Sequence, residues 1–476
     1  MQDARKFYIN GAWVEPREGT AFEVQNPSNE EPFAQIVLGG QADTDAAVAA
    51  AKAAFPAWFA SAVGDRVAAL ERIYAGYKAR AEDMARAISQ EMGAPIELAR
   101  TAQVGAGLYH MKNAISTLKA FEFEHDLGAD NPGARILKEP IGVCALITPW
   151  NWPMNQVVLK VAPALAAGCT VILKPSEVAP LSSYVFAEIM DEADIPAGVF
   201  NLVNGDGPGV GTQLSVHPDV DMVSFTGSTR AGRLITKNAA DTIKRVTLEL
   251  GGKGANIIFA DADEKAVARG VRHCFQNSGQ SCNAPTRMLV ERGYYDEAVE
   301  TAKAVAEQTS VAAAELDGRH IGPVVSETQW NKIQALIQTG IDEGARLVAG
   351  GNGRPEGLNR GWFARPTVFA DVEPDMTIWR EEIFGPVLAI TPFDQEEQAL
   401  DMANDTTYGL TNYVQTQDVE KARRAARRLR SGMVEINGQS RGTGAPFGGY
   451  RQSGNGREGG VWGLEDFLEV KSVGGW

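Results

Sequence analysis

The feature that most constrains the fold is an alternation of short apolar runs with helical stretches, which begins near residue 141. IGVCALITPW is followed by the helical MNQVVLKVAPALAAG, and CTVILKP is followed by a helical stretch over 181–193. The alternation continues through three further apolar runs: VFNLVNGDGPG, DMVSFTGS and RVTLELGG. Continuous apolar strands that alternate with helices are typical of a parallel sheet with helices on both faces. The pattern predicts a doubly wound α/β domain.

The second half of the chain repeats this style with different strands, so it predicts a second α/β unit. Helical stretches at 326–343 and 418–430 lie between these runs: RMLVE, RLVAGG, the EIFGPVLAI run, GLTNYVQT and GMVEIN. In the Ala-rich N-terminal third, a helix is expected to begin near Asp43, with Asp43 or Thr44 as its cap. The C-terminal EVKSV predicts a lone short strand. It either joins a sheet of a neighbouring subunit or tucks into its own chain.

Size and charge exclude several classes of function. The 476 residues allow about three domains, and the net charge of -15 disfavours binding to the phosphate backbone of nucleic acids. The basic run at 421–430 is typical of a solvated helix face. No stretch of eighteen apolar residues occurs, and the N-terminus has no apolar signal core. We therefore expect no membrane span and a cytoplasmic protein.

The cysteines and histidines point away from disulfides and metals. Four cysteines in so long a chain do not form a disulfide framework, and the five histidines have no metal-ligand spacing. Cys144 and Cys169 lie in apolar strand contexts, and Cys274 lies on an apolar helix face. Cys282 differs because it lies in the polar loop NSGQSCN, where a thiol can react. A reactive thiol and an ordinary loop cysteine both remain open.

Polar groups follow the predicted strands of the first sheet. In an open α/β sheet, ligands bind outside the carboxyl ends of the strands. Thr148, Asn151, Lys174, Asn204, Thr226 and Glu249 occupy such positions. A polar residue at one strand end is ordinary, but five strands sharing the feature favour a ligand crevice. Glu249 could act as a general base or be a surface group, and Asn151 could be an oxyanion donor or a turn residue.

Glycine-rich turns open several helices at this edge. Gly227-Ser228 before the TRAGRLITKNA helix could hold a phosphate, because helix N-termini favour anions. GDGPGVG at 205–211 departs from G-x-G-x-x-G, since Val210 takes the place of the third glycine. A tight loop and a phosphate cradle both remain open for this segment.

Seven motifs in one order make the sequence resemble the aldehyde dehydrogenase superfamily over nearly the whole chain. The two strongest are FQNSGQSCNAPTR at 275–287 and LELGGK at 248–253. The others are TPWNWP (148–153), KPSE (174–177), FTGSTRAG (225–232), EEIFGPV (381–387) and PFGGYRQSGNGRE (446–458). One departure is Gly254, where the family usually has a slightly larger residue. It affects the expected local backbone stiffness, not the chemistry.

The resemblance implies roles for individual residues. Cys282 would be the nucleophile and Glu249 the general base, while the Asn151 amide and the backbone N–H of Cys282 would form an oxyanion hole. Lys174 would belong to the catalytic residues. Together with Glu177, it would also hold the hydroxyls of the adenosine ribose. Ser228 would meet the pyrophosphate, Glu382 the nicotinamide ribose, and Phe384 that end of the cofactor. The remaining expected cofactor contacts are Thr148, Trp150, Ser176, Gly207, Gly211, Phe225, Gly227, Leu250 and Gly251.

The resemblance also implies a domain plan. A Rossmann-like NAD-binding domain would span 1–119 and 139–249, and a catalytic domain would span 250–452. Residues 120–138 and 465–476 would form a small β segment for oligomerisation, giving a homodimer or homotetramer. NAD is expected over NADP, because a carboxylate of Glu177 at the adenosine ribose would repel a 2′-phosphate.

The implied reaction is oxidation of an aldehyde to a carboxylic acid through a cysteine thiohemiacetal and thioester, hydrolysed by water that Glu249 activates. The aldehyde is not specified. Trp152 and Phe447 could line its tunnel or be core residues, and Arg441 could meet a semialdehyde carboxylate or be a solvated loop arginine. The alternatives are a coenzyme A-acylating dehydrogenase, a thiol hydrolase using His273, and a non-catalytic binding or structural protein.

Overall fold

The structure is a computed structural model that describes residues 1–131 and 133–476. Its strands are β1 (Gln2–Asp3), β2 (Phe7–Ile9), β3 (Ala12–Val14), β4 (Thr20–Asn26), β5 (Glu31–Leu38), β6 (Glu124–Asp126), β7 (Ala134–Pro140), β8 (Val143–Ile147), β9 (Thr170–Lys174), β10 (Phe200–Leu202), β11 (Met222–Thr226), β12 (Arg245–Glu249), β13 (Ala255–Ile258), β14 (Arg287–Glu291), β15 (Arg346–Ala349), β16 (Thr367–Ala370), β17 (Val387–Phe393), β18 (Thr411–Gln415), β19 (Met433–Ile436) and β20 (Leu468–Gly474).

The α-helices lie between these strands and cover both faces of the large sheets. They are α1 (Gln41–Phe59), α2 (Val63–Ala79), α3 (Ala81–Met92), α4 (Ile96–Leu98), α5 (Val104–Ala120), α6 (Pro153–Ala167), α7 (Leu181–Glu192), α8 (Thr212–Val216), α9 (Thr229–Ala239), α10 (Ala266–Phe275), α11 (Tyr295–Gln308), α12 (Glu327–Asp342), α13 (Thr377–Arg380), α14 (Glu396–Asn404), α15 (Val419–Arg428) and α16 (Gly460–Glu465).

The first large sheet has the strand order β12-β11-β8-β9-β10-β2-β3. Strands β8 to β12 pair in parallel, and the β2–β3 hairpin is antiparallel at one edge. Every residue of β8, β9 and β11 is buried, which explains their continuous apolar runs. The carboxyl ends of β8, β9, β11 and β12 therefore meet at one edge, as the sequence predicts. The α/β class is confirmed.

The second large sheet has the order β15-β16-β17-β14-β13-β18-β19. All its pairings are parallel except that of β15 with β16. Strand β14 lies at the centre, and the segment between α10 and β14 carries Cys282. This sheet therefore brings the cysteine loop close to the edge of the first sheet, where Glu249 ends β12.

The C-terminal strand β20 pairs inside its own chain, with β7, from Leu468 opposite Pro140 to Gly474 opposite Ala134. Together with β6 it forms a small antiparallel sheet. Of the two expectations for EVKSV, the structure has the one within the same chain. The partner could not be read from the local sequence, because more than 300 residues separate the two strands.

The cap of α1 differs from the expectation. The helix begins at Gln41 with Gly40 as its N-cap, so Asp43 and Thr44 lie inside its first turn. The carboxylate of Asp43 accepts the backbone N–H groups of Gly40 (3.2 Å) and Arg17 (2.8 Å). Asp43 therefore serves the helix start from the third helical position, as in a capping box.

Helices able to span a membrane and clusters able to hold a metal ion are both absent from residues 1–131 and 133–476. Among these residues, none of the helices combines the length and apolar character needed to cross a bilayer. The same residues contain no cluster of three or more His, Cys, Asp or Glu side chains arranged to hold a metal ion.

Candidate active site

The loop that carries Cys282 begins with three residues in the left-handed region. Asn277, Ser278 and Gly279 have φ values of 54°, 57° and 73°, directly after α10 ends at Phe275. Glycine is required at 279, because a Cβ there would lie 2.0 Å from the carbonyl oxygen of Gly385. Left-handed conformations of Asn and Ser cost energy and persist only where neighbours hold them. Here Ser278 donates to the carbonyl of Gly322 at 2.7 Å.

A buried amide network fixes Asn151 beside this loop. The side-chain amide of Asn151 donates to the carbonyl of Gln280 at 3.0 Å. The backbone carbonyl of Asn151 accepts the amides of Asn277 (2.9 Å) and Gln103 (3.2 Å). The amide nitrogen of Asn carries two hydrogens, so one remains for another acceptor. The network therefore fixes the side-chain amide of Asn151 beside Gln280, which precedes Cys282 by two residues in the sequence.

Two cavities meet at Cys282. The first, which we call the Trp150 cavity, has a volume of about 200 Å³. The second, the Trp152 cavity, has a volume of about 330 Å³. Cys282 is half-buried and lines both. A molecule in either cavity can therefore reach the same sulfur.

The Trp150 cavity contains many of the residues predicted to bind the cofactor. Its lining includes Trp150, Asn151, Gly227, Ser228, Leu250, Gly251, Glu382 and Phe384. The rings of Trp150 and Phe384 meet edge to face at 5.5 Å. Ser228 caps α9, its hydroxyl accepting the N–H of Ala231 at 3.3 Å. The N-terminus of α9 therefore faces this cavity, where an anion would be favoured.

Glu382 and Gly251 meet at the floor of the Trp150 cavity. The Glu382 carboxylate accepts the N–H of Gly252 at 2.8 Å, and burial raises its pKa. A Cβ on Gly251 would lie 2.4 Å from this carboxylate. Because Gly251 has no side chain, the Glu382 carboxylate can pack directly against the backbone there.

The other predicted cofactor residues lie outside this cavity. Thr148, Lys174, Ser176 and Glu177 follow the ends of β8 and β9, and Phe225 lies in β11. The ammonium of Lys174 donates to the Pro175 carbonyl at 2.9 Å and lies 3.6 Å from the Glu177 carboxylate. Gly211 approaches the Lys174 side chain, whereas Gly207 faces open space. Lys174 lines neither cavity with Cys282, so its position gives no support to a direct catalytic part, and its place at the ribose stays a prediction.

Glu249 ends β12 and is 3% exposed. Neither of its carboxylate oxygens has a hydrogen-bond partner among the described residues. Burial raises the pKa of Glu249 well above its ordinary value, and the nearby Glu458 carboxylate raises it further. A carboxyl group in this setting is suited to accept a proton near neutral pH.

A buried ion pair lies next to Glu249. The ammonium of Lys160 is 2.6 Å from the Glu458 carboxylate and donates to the Ser224 hydroxyl at 3.0 Å. A small cavity of about 10 Å³ is lined by Lys160, Glu458 and Glu249. The Glu458 backbone exchanges two hydrogen bonds of 2.8 Å with Phe447, so Glu458 also reaches the Trp152 cavity.

The thiol of Cys282 is not activated on its own. Burial raises its pKa, and the carboxylates of Glu382, Glu249 and Glu458 raise it further, in that order. The thiol is therefore protonated at neutral pH in the free protein, and a base must remove the proton before the sulfur can attack. Glu249 lines neither cavity that contains Cys282, but it shares the small cavity with Glu458, which also lines the Trp152 cavity.

The Trp152 cavity holds the three residues predicted to contact a substrate. Trp152 donates to the Ser281 hydroxyl at 2.8 Å, and Phe447 also lines the cavity. Arg441 also lines the cavity, but it is not a free cation. Its guanidinium donates to Glu435 at 3.1 Å and lies over the Phe447 ring at 5.5 Å.

Comparison with known proteins decides the family. The sequence model described as "Aldehyde dehydrogenase family" matches residues 13–473. The chain belongs to the aldehyde dehydrogenase family. It is 51% identical to the 3-succinoylsemialdehyde-pyridine dehydrogenase of a Pseudomonas species, over 100% of this chain and 99% of that protein. The predicted family and enzyme class are confirmed.

Solved members of the family share the fold over the whole chain. An aldehyde dehydrogenase from Bartonella henselae is 58% identical with a TM-score of 0.99, and both chains are covered completely. A mutant of aldehyde dehydrogenase C from Pseudomonas syringae, in complex with NAD+ and octanal, is 49% identical with a TM-score of 0.97. The match covers 99% of this chain and 97% of that one.

In this member of the family, sequence reasoning missed several residues around the site. Gln103 and Asn277, which hold Asn151, gave no local signal because amides are common in helices and turns. Lys160 did give one: it is a lone cation in an apolar helix, and a buried charge needs a partner. Its partner Glu458 is the last residue of the PFGGYRQSGNGRE motif, and the resemblance implies no role for it.

Proposed function

We propose that the chain oxidises an aldehyde to a carboxylic acid with NAD, through a thioester on Cys282. The observation that carries the proposal is the position of Cys282 at the junction of the Trp150 and Trp152 cavities. One cavity can hold the nicotinamide end of a dinucleotide and the other an aldehyde. The shared sulfur lies where the two would meet.

The described residues fit a dinucleotide. The Trp150 cavity offers an aromatic pair, a carboxylate on Glu382 for ribose hydroxyls, and the N-terminus of α9 for a phosphate. Buried hydroxyls of Thr148 and Thr226 have no hydrogen-bond partner within the described part of the chain. When bound, NAD accepts the hydride that leaves the aldehyde carbon. The NAD+ complex of the Pseudomonas syringae relative supports this cofactor.

The first step is addition of the Cys282 sulfur to the aldehyde carbon. Glu249 takes the thiol proton, because a buried carboxylate with a raised pKa binds a proton more readily than an exposed one. Negative charge then develops on the former carbonyl oxygen. The free N–H of Asn151 and the backbone N–H of Cys282 stabilise this oxyanion.

The second half of the reaction releases the acid. Loss of hydride from the thiohemiacetal leaves an acyl group on the Cys282 sulfur. Glu249 releases the first proton to solvent, removes a proton from the water that attacks the thioester carbon, and returns that proton to the departing sulfur of Cys282. The Lys160–Glu458 ion pair lies next to Glu249 in the same small cavity, so Glu249 is not the only ionisable group buried there.

A direct test is NADH formation from a panel of aldehydes, with Cys282→Ser and Cys274→Ala compared. Cys274 is a buried thiol on α10 that donates to the Val387 carbonyl, so it serves as the matched control. We expect activity to disappear only in the Cys282 variant. Equal activity in both variants would refute the proposal.

Hydrolysis is proposed over transfer to coenzyme A. A buried carboxyl with raised pKa at Glu249 favours activation of water. Product analysis with and without coenzyme A distinguishes the two outcomes: free acid at the same rate in both supports hydrolysis. An acyl-coenzyme A product would contradict it.

NAD is proposed over NADP because of Glu177. Its carboxylate lies beside Lys174 at the end of β9, where the adenosine ribose is expected. A 2′-phosphate there would be repelled by the carboxylate. Glu177→Gln is expected to raise kcat/KM with NADP relative to NAD. A wild-type preference for NADP would overturn this assignment.

A homodimer or homotetramer is also proposed, built on the segments 120–138 and 465–476. Strand β20 lies at one edge of the small sheet, and Val470 on it is 68% exposed. Strand β19 lies at the edge of the second large sheet. Open strand edges favour pairing with another chain. Light scattering should give a multiple of 51.0 kDa, reduced by Val470→Lys; a monomer would contradict the proposal.

The domain plan is proposed with the same boundaries. Residues 1–119 and 139–249 would bind the cofactor, and 250–452 would carry the chemistry. Support comes from the two large sheets, since β8 to β12 belong to one and β13 to β19 to the other.

A further inference from the structure

The charged side chains of the Trp152 cavity are few and already engaged. Glu435, Arg441 and Glu458 line it, and Glu458 is held by Lys160 at 2.6 Å. His110 also lines it and interacts with Asn155 at 2.9 Å, and burial lowers its pKa. At neutral pH this histidine therefore carries no charge. Arg441 is left as the one cationic side chain among the described residues of the lining.

Arg441 has two of its five N–H donors engaged within the chain. Its Nε donates to the Glu435 carboxylate at 3.1 Å, and a terminal nitrogen donates to the Pro446 carbonyl at 3.1 Å. The guanidinium also covers the ring of Phe447 at 5.5 Å. The side chains of Arg441 and Glu435 are only 27% and 18% exposed, so water screens their pairing incompletely.

This arrangement works against both signs of charge on a substrate. A carboxylate tail competes with Glu435 for Arg441, and it shares the cavity with the carboxylates of Glu435 and Glu458. A cationic tail must displace Arg441 from Glu435. An uncharged tail meets the apolar surfaces of Trp152, Leu159 and Phe447 without breaking the pair.

We propose that the Glu435–Arg441 pair makes this site select uncharged aldehydes, and that Glu435 is the residue that prevents Arg441 from accepting an acidic semialdehyde. Specificity then comes from repulsion by carboxylates and from neutralisation of Arg441 by Glu435, rather than from a new attraction. The inference rests on the proposed aldehyde oxidation. It replaces the expectation that Arg441 directly recognises a carboxylate.

The test measures the ratio of kcat/KM for 4-oxobutanoate to kcat/KM for hexanal, with NAD. The wild-type ratio should be well below one. Glu435→Gln removes the carboxylate and frees the guanidinium, so the ratio should rise at least about tenfold, as expected for one hydrogen bond between charged groups. Glu435→Asp keeps the charge and should leave the ratio near the wild-type value. A wild-type preference for 4-oxobutanoate, or an unchanged ratio in Glu435→Gln, would overturn the proposal.

A second variant tests the pair from the other side. Arg441→Gln leaves Glu435 unneutralised, so the ratio of kcat/KM for a quaternary-ammonium aldehyde to that for hexanal should rise. No rise would overturn the proposal even if Glu435→Gln cannot be obtained folded. Glu31→Gln is the matched control, since Glu31 pairs with Arg360 at 2.8 Å outside both cavities. It should change neither ratio.

Failure of the underlying function looks different. If wild-type protein forms no NADH from any aldehyde, the proposed oxidation is wrong. If it oxidises hexanal but the ratios do not respond to Glu435 and Arg441, only the selection by this pair is wrong.

Discussion

Replacing Asn151 by alanine removes the side-chain donor that we place at the oxyanion. The change should act on the chemistry and leave the loop in position. The Gln280 carbonyl, which accepts the Asn151 amide, also accepts the amide of Asn277 at 3.2 Å. The backbone carbonyl of Asn151 keeps its own two amide donors. The loop that carries Cys282 therefore retains its anchors.

The expected loss follows from the burial of this donor. Asn151 is 4% exposed, so water cannot easily take its place beside the oxyanion. Removal of one such donor typically raises the barrier by about 3 kcal/mol, which is 10²- to 10³-fold in rate. Because the Asn151 amide stabilises charge that develops only during the reaction, its removal should lower the rate constant and leave KM unchanged.

The assay is a stopped-flow measurement of the first turnover of NADH formation with saturating hexanal. The burst rate constant should fall by 10²- to 10³-fold in Asn151→Ala. Asn238→Ala is the matched control, since Asn238 on α9 donates to the hydroxyl of Ser215 on α8, outside both cavities. A burst rate constant within about threefold of wild type, or a change in KM alone, would refute the role of Asn151.

Three other predictions concern charge and backbone. Glu458→Gln removes a carboxylate that raises the Glu249 pKa, so the acidic limb of the kcat–pH profile should move to lower pH; a shift upward or none would contradict this. Burial raises the Glu91 pKa from 4.5 to about 7, so wild-type stability should fall between these pH values by about 3 kcal/mol relative to Glu91→Gln, measured by urea unfolding. Equal pH dependence of the two proteins would refute it. Gly279→Ala should lower stability by more than about 1 kcal/mol, whereas a tolerated substitution would show that the left-handed turn is not required.

The sign for Glu91 follows from linkage. The folded protein holds the proton of Glu91 more tightly than the unfolded chain, since the folded pKa is the higher one. Low pH therefore favours the folded state, and this contribution is lost as the pH rises toward about 7. The carboxylate accepts the N–H groups of Leu181 and Ser182 at the start of α7, but burial outweighs these bonds.

Much of the fold could be predicted because the sequence of a single strand, helix or loop indicates its own structure. Buried parallel strands must be continuously apolar, so β8, β9 and β11 were evident, and the polar residues that follow them had to share an edge. Cys282 was distinguished from Cys274 because a polar loop differs visibly from an apolar helix face. These inferences need only the sequence of one element and its ends.

The remaining features depend on contacts between distant parts of the chain. Lys160 and Glu458 are 298 residues apart, and neither residue's neighbours indicate the other. The Arg441–Glu435 pair depends on how a glycine-rich loop folds back onto β19, so sequence alone left Arg441 as a free cation or a substrate contact. The left-handed Asn277 and Ser278 are held by tertiary hydrogen bonds, which local propensity does not report.

The most direct test of the account is to look for the acyl group on Cys282. In Glu249→Gln, the thioester should form more slowly than in wild type, since Glu249 also takes the thiol proton, and should then persist, since the residue that activates water is lost. After mixing with NAD and hexanal, intact mass spectrometry should show one added acyl group, located on Cys282 by peptide mapping of 275–287. No added mass despite NADH formation, or an acyl group on another residue, would contradict covalent catalysis at this sulfur.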